Sequence, residues 1–429
     1  MNIADPGSSQ ANRSAMLYRL AQTFNSSLDL NEVLNRVMDE VITAIRAERG
    51  FVMLKGPDGE LGFRVARGID QTTIEEPEFQ ISRGVVERVA REGRPILASD
   101  AQMDERISMR TSVMNLGLRS VLCVPLQVKA NPIGVIYADN RLKAGIFTQD
   151  DLELLGAIAS SAAIAIENAR LYQIAVEQGR MERELQLAYK VQASLLPQSM
   201  PQLNGWEFAA RWQPAREVAG DYYDFIPLGS GEIGLVIADV MDKGMPAALY
   251  MAFTRSVVRA SLDNAPSPAE GIARANRLIC TDSTYGFFVT MFYAQLDPTS
   301  GVLTCVNAGH NPPLLCRQEN ESDLGADRRQ LTELTFRGMP LGIEPETIYD
   351  QHTVSLGPGD LILFYTDGVT EAINAQGERF ETDRLEHILI SHCNVSAGEL
   401  LDALENELAS FVGPEAQFDD ITMMVVKRR

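Results

Sequence analysis

The 429 residues include five cysteines, Cys123, Cys280, Cys305, Cys316 and Cys393, odd in number and never spaced Cys-x-x-Cys. That scatter argues against a disulfide framework and against a zinc site, and it fits thiols kept reduced in a cytosol. Positive charge is scarce as well. With 38 Lys and Arg against 58 Asp and Glu, the formal net charge is −20, and no basic block offsets it. Such a field repels nucleic acid and anionic lipid surfaces. Residues 1–10 lack a basic segment followed by an apolar stretch, and no uninterrupted apolar run reaches membrane-spanning length. A soluble, unexported, cytoplasmic protein with no nucleic-acid or membrane partner is therefore expected. The sequence also lacks a P-loop, a Cys-x5-Arg loop and a Gly-x-Ser-x-Gly elbow.

What is present is a globular composition, 45% hydrophobic, in a chain long enough for two or three domains. Beyond residues 1–14, which are expected to be disordered, Leu17, Leu20, Phe24, Val33, Leu34, Val37, Val41 and Ile45 recur at helical intervals. Strand-type runs follow at Gly50–Leu54, Leu61–Ala66, Phe79–Ser82, Ser120–Val128 and Pro132–Asp139, giving an α+β layer on a largely antiparallel sheet. From Asp150 to about Leu195 the pattern is helical again, with Thr148 as N-cap and Pro197 as the stop. Within it Leu171, Ile174, Gln178, Met181, Leu185, Ala188, Gln192 and Leu195 step by three and four. That spacing predicts either a dimerising coiled-coil linker or an amphipathic helix lying on its own domain, and Gly179 weakens its middle. A second α/β region follows. Its strands are expected near Glu207–Gln213, Glu232–Val240, Phe287–Leu296, Val302–Asn307, Asp360–Thr366 and Ile421–Lys427, its helices around Pro246–Leu262 and Pro268–Asp282, and a solvated hairpin loop over Gln318–Arg329.

Four acidic motifs stand at element ends in this second region: Gly220-Asp221-Tyr222-Tyr223-Asp224, Ala238-Asp239-Val240-Met241-Asp242-Lys243-Gly244, Tyr365-Thr366-Asp367-Gly368 and Asp419-Asp420-Ile421-Thr422. Asp239 and Asp367 each follow a strongly apolar run, so their carboxylates emerge where a strand meets a loop. A carboxylate cluster repels itself unless cations neutralise it, and hard oxygen donors match Mg²⁺ or Mn²⁺. Two such ions suit phosphoryl hydrolysis by water, and they would supply the local positive charge that an acidic protein needs to receive a phosphate.

These motifs, with Asn307-Ala308-Gly309-His310-Asn311-Pro312-Pro313 and Met339-Pro340-Leu341-Gly342 between them, resemble the metal-dependent PPM phosphatases, in the branch of bacterial sporulation and stress-response enzymes. The stretch Val191-Gln192-Ala193-Ser194-Leu195-Leu196-Pro197 resembles the helix that precedes the domain in that branch. The resemblance implies a double β-sandwich flanked by helices, holding two ions, Mn²⁺ or Mg²⁺. Asp239 would bridge both, assisted by the carbonyl of Val240. Asp367 with Asp419, or with Asp420 in its place, would complete one ion, and Asp221 would hold the other. Met241 stands where many relatives outside the branch carry a histidine proposed as general acid. Arg216 stands close to the offset of a phosphate-binding arginine in distant members, a role to set beside an ordinary surface ion pair. Lys243 is either solvated or meets phosphate, and His310 is either a structural hydrogen-bonder or an acid–base group.

Residues from about Ala15 to Tyr172 resemble a GAF domain through Glu48-Arg49-Gly50-Phe51-Val52, Leu116 to Leu126, Ile133 to Asn140 and Phe147-Thr148. Such domains often sense small molecules, while some only dimerise. The expected organisation is a GAF sensor at 15–172, a helical linker at 173–200 and a phosphatase domain at 201–429. The implied function is dephosphorylation of phosphoserine or phosphothreonine on a protein, by resemblance an anti-sigma-factor antagonist, in a homodimer. The rival is a non-enzymatic adaptor that binds its partner through a phosphatase-like domain.

Overall fold

The computed structural model describes residues 15, 18–24, 26–56, 58–70, 72–74, 81–104, 117–229, 231–282, 286–318 and 329–429. The stretch 1–14 and all of 319–328, between Gln318 and Arg329, therefore lie outside the described residues, as do Phe79 and Gln80. Two compact units divide the chain, Met1–Met181 and Glu182–Arg429.

In the first unit Asp29 caps helix α1 (Leu30–Ile45), its side chain accepting from the Glu32 amide at 2.9 Å. The helix buries Val33, Leu34, Val37, Met38, Val41, Ile42 and Ile45, a stripe with 3.6-residue period that seats it on the sheet. The sheet is antiparallel throughout, with strands β1 (Arg49–Lys55), β2 (Leu61–Gly68), β3 (Ile96–Ala98), β4 (Ser120–Val128) and β5 (Asn131–Asn140) in the order β2-β1-β5-β4-β3. Helix α2 (Arg83–Glu92) was not anticipated, and Ser82, expected to end a strand, is its N-cap residue. Val85, Val86 and Val89 pack with Phe51, Cys123 and Tyr137, so Cys123 is a core residue.

Helix α3 (Gln149–Leu195) begins with a reciprocal cap in which the Asp151 amide donates to Thr148 Oγ1 at 3.3 Å and the Thr148 amide to Asp151 Oδ2 at 2.9 Å. Among the described residues it is the one helix long and apolar enough to cross a membrane. Its apolar positions Leu155, Ile158, Ala162, Ala163, Ile166 and Ala169 are buried in the core of the first unit, which accounts for them.

The second unit is a sandwich of two five-stranded antiparallel sheets with helices outside each. One sheet runs β13 (His352–Ser355), β10 (Val302–Ala308), β9 (Val289–Leu296), β8 (Ile233–Val240), β7 (Tyr222–Pro227); the other runs β12 (Arg329–Glu333), β11 (Leu314–Gln318), β14 (Leu361–Tyr365), β15 (Ile421–Arg428), β6 (Trp206–Gln213). The period-two alternation of β14 explains the layering: Ile362 and Phe364 point into the inter-sheet core, while Leu361, Leu363 and Tyr365 face the outer helices. Helices α4 (Met245–Leu262) and α5 (Pro268–Asp282) cover the first sheet. After the short turn α6 (Asp367–Thr370), α7 (Glu381–His392) and α8 (Ala397–Val412) cover the second. Gln318 and Arg329 are paired across β11 and β12, which run antiparallel.

Candidate active site

The buried run Ile233–Ala238 carries Asp239 to the penultimate position of β8. Because β7 and β8 run antiparallel with Tyr222 opposite Ala238, Asp221, directly before β7, comes level with Asp239. In the other sheet Tyr365 lies opposite Met423, which brings Asp367 after β14 beside Asp419 and Asp420 before β15. The register thus gathers two carboxylates at the end of one sheet and three at the end of the other.

The Thr366 hydroxyl links the two groups. Thr366 Oγ1 donates to Asp221 Oδ2 at 2.7 Å, across from one sheet to the other, and accepts from the Thr422 amide at 3.0 Å. Two glycines allow the loops to close on one another. A Cβ on Gly220 would stand 2.9 Å from the Val240 carbonyl oxygen, and one on Gly368 would stand 1.9 Å from the Asp420 carbonyl oxygen, so a side chain at Gly368 cannot be accommodated.

Crowding shows in the protonation of these groups. Burial first, and then the charge of Asp367, push the Asp239 carboxyl up to about 7, against a hydrogen bond with Asp221 that works the other way. Asp221 is driven well above the ordinary range by burial and then by Asp239 and Asp420. Asp367 is raised by burial and then by Asp419, and Asp420 by burial against the amides of Ala215 and Gly220 that stabilise its charge. A group whose pKa rises on folding gives its stability fully below the unfolded value and loses it as pH climbs. In chelator-treated protein, Asp239→Asn should therefore melt close to wild type near pH 3.8 and above it once the pH passes about 7. A gap in thermal melts that does not widen with pH would show that Asp239 is not crowded.

Such oxygen donors, short of positive charge, fit a hard divalent cation. They are not a preformed cage: among the described residues no three acidic, histidine or cysteine side chains already stand as a ligand set. Each carboxylate has other engagements. Asp420 is buried with both oxygens committed, Oδ1 accepting from the Ala215 amide and Oδ2 from the Gly220 amide, each at 2.7 Å. It shapes the loop before Asp221; Asp419 differs in having one oxygen on an amide, Oδ1 accepting from the Asp420 amide at 2.9 Å.

Lys243 is not a solvated lysine, because its Nζ pairs with Asp419 Oδ2 at 2.9 Å. Arg216 is exposed in the loop that Asp420 holds, with a guanidinium nitrogen 3.8 Å from where a Gly244 Cβ would stand. His310 is buried: Nδ1 lies 2.8 Å from Thr290 Oγ1, its amide donates to Asn307 Oδ1 at 2.7 Å, and burial pushes its pKa down to about 4, which favours its neutral form. Met241 is 40% exposed beside the site.

Two further residues position Asp221 and were not assigned that role from sequence. Trp212 Nε1 donates to the Asp221 carbonyl at 2.9 Å, and Tyr189 stacks on the Trp212 ring at 5.6 Å. Gln192, expected as a polar position of a coiled-coil seam, is instead buried against its own unit. Its Nε2 donates to the Ala219 carbonyl at 2.6 Å and its Oε1 accepts from the Ala219 amide at 3.0 Å, two residues before Asp221. The end of α3 is thereby fastened to the acidic site. Asp224, in the same motif as Asp221, is itself buried and forms ion pairs with Arg255 at 3.1 Å and Arg259 at 2.5 Å on α4.

The stage II sporulation protein E (SpoIIE) family matches residues 229–429, and the GAF domain matches residues 27–167. The phosphoserine phosphatase RsbU of Bacillus subtilis is 30% identical over 59% of this chain and 72% of its own length. Protein IcfG of Synechocystis sp. is 30% identical over 65% of this chain, which spans only 46% of that protein. Among solved structures, the SiaA-PP2C domain of Pseudomonas aeruginosa matches with a TM-score of 0.52 at 22% identity, covering 59% of this chain and 100% of that one.

Proposed function

The chain belongs to the SpoIIE family of PP2C-type phosphatases, with a GAF domain ahead of the phosphatase domain, and from that membership we propose that it hydrolyses phosphoserine or phosphothreonine on a protein. The observation that carries the proposal is the meeting of Asp221, Asp239, Asp367 and Asp419 at one end of the sandwich, where their charges act on one another. Asp239, with the Val240 carbonyl, Asp367 and Asp419 would hold one divalent ion, and Asp239 with Asp221 a second, either Mn²⁺ or Mg²⁺. When bound, the ions supply positive charge for the phosphoryl oxygens and lower the pKa of a coordinated water.

The protein's own part is placement. Thr366 fixes the Asp221 carboxylate, the Asp420 carboxylate sets the loop that ends at Asp221, and Arg216 on that loop is offered to the phosphate as a fork of donors. Met241 brings no proton donor, so the leaving serine or threonine oxygen takes its proton from water. The substrate we propose is an anti-sigma-factor antagonist, and the setting is a cytoplasmic homodimer in which residues 15–172 sense a signal, 173–200 transmit it and 201–429 catalyse.

The test is hydrolysis of a phosphoserine peptide and of an aryl phosphate by the chelator-stripped full chain, before and after Mn²⁺ or Mg²⁺ is restored. Turnover should appear only with metal. A chain that binds a phosphoprotein yet turns over neither substrate with either ion is the non-enzymatic adaptor instead.

A further inference from the structure

The acidic site contains a cation of its own. Lys243 follows the left-handed residue Asp242, whose φ is 76°, and precedes Gly244, whose φ is 83°. From this bend its side chain crosses to the segment before β15. There Nζ pairs with Asp419 Oδ2 at 2.9 Å, donates to the Phe418 carbonyl at 2.7 Å and stands 4.3 Å from the centre of the Phe418 ring. The Lys243 side chain is 27% exposed and that of Asp419 24%, so the pair is partly sheltered. The Lys243 charge also acts on Asp367, lowering its pKa against the neighbouring carboxylates. The other Asp419 oxygen, Oδ1, already accepts from the Asp420 amide at 2.9 Å.

We propose that Lys243 is an internal competitor for the cation site: its ammonium occupies the Asp419 oxygen that a divalent ion needs and withdraws to the Phe418 side as the ion binds. The proposal rests on Asp419 being a metal donor, as set out above. Its physical content is simple. Both Asp419 oxygens are engaged, one by a fixed amide and one by a flexible ammonium, so an ion gains access at the ammonium's expense. A lysine and a divalent ion on one carboxylate also repel each other. Phe418 supplies the alternative berth, since a backbone carbonyl and an aromatic face hold an ammonium without a carboxylate. Lys243 thereby sets the metal concentration at which the site fills, and acts as a positioning residue for Asp419.

Calorimetric titration of Mn²⁺ into the chelator-stripped full chain tests this with wild type, Lys243→Gln, Lys243→Arg and Asp239→Asn. Lys243→Gln keeps a donor, one bond shorter, without the charge and should bind Mn²⁺ about three- to tenfold more tightly, the range expected for losing one partly exposed like charge. Lys243→Arg should stay near wild type. In thermal melts Lys243→Gln should start lower than wild type without metal, having lost a counter-ion, and gain more from added Mn²⁺, because tighter binding to the folded state raises stability by linkage. Unchanged or weaker Mn²⁺ binding in a folded Lys243→Gln, with binding lost in Asp239→Asn, overturns the competitor role alone. Wild-type binding that Asp239→Asn leaves intact overturns the metal site itself.

Discussion

Asp239→Asn and Asp367→Asn each lower turnover by at least about a thousandfold while the protein stays folded, a loss of the size expected when transition-state electrostatics are removed. The asymmetry between activity and stability follows from crowding. Asp239 is held among Asp221, Asp367, Asp419 and Asp420, so deleting its charge relieves repulsion in the metal-free fold. The same deletion removes the donor on which two ions would converge. Circular dichroism and melting temperature report the fold, and turnover of an aryl phosphate in saturating Mn²⁺ reports the site. Near-normal rates in both folded variants would remove these carboxylates from catalysis. A variant that fails to fold would be uninformative at Asp239 alone, which is why Asp367, on the opposite sheet, is tested beside it.

Much of the architecture was legible because strand and helix periods are carried by apolar residues. Ser120–Val128 and Pro268–Asp282 coincide with their elements, and most other expected strands differ from the observed ones by a residue or two. What was missed has local causes. Strand β7 reads as an acidic motif because Asp224 interrupts its apolar run, and Arg255 and Arg259, more than thirty residues away, offset the cost of burying that charge. Strand β13 alternates between half-buried and exposed residues, too weak a signal for four residues. Helix α8 had a usable mark, since Ser396 and Glu399 form a capping box ahead of Leu400, Leu401, Leu404 and Leu408.

At the site, the motifs located the carboxylates but not their engagements. The sequence quotes Thr366 beside Asp367 without revealing that its hydroxyl reaches Asp221 in the other sheet. It left Asp419 and Asp420 equivalent, and it could not show that Asp420 accepts from two amides, those of Ala215 and Gly220, some two hundred positions earlier in the chain. A lone lysine looks solvated in any sequence, so the Lys243 contact with Asp419 and Phe418 was equally out of reach.

The helical seam illustrates a different limit, because a three-and-four spacing states that a face is apolar without stating what covers it. In the structure the face divides. Toward its end Leu185 is half-buried, and Gln192 is committed to Ala219 of the same chain. Earlier, Leu171, Ile174 and Met181 are 54%, 43% and 59% exposed at coiled-coil spacing, and we propose this part as the seam for a second copy. Ile174→Glu with Met181→Glu should therefore weaken self-association at least about a hundredfold, since four like charges would meet across the two-fold axis in an apolar seam. Light scattering across a concentration series should show wild-type dimers and variant monomers. Turnover should change with association, by about threefold or more, if seam packing biases an element between two states. The physical link is short: α3 continues from Met181 to Gln192, Gln192 holds Ala219 at both backbone groups, and Ala219 is two residues from Asp221. Dimers that persist in the variant would place the interface elsewhere. A monomer with wild-type turnover would leave α3 a tether, with Gln192 serving the fold of the site and carrying no signal.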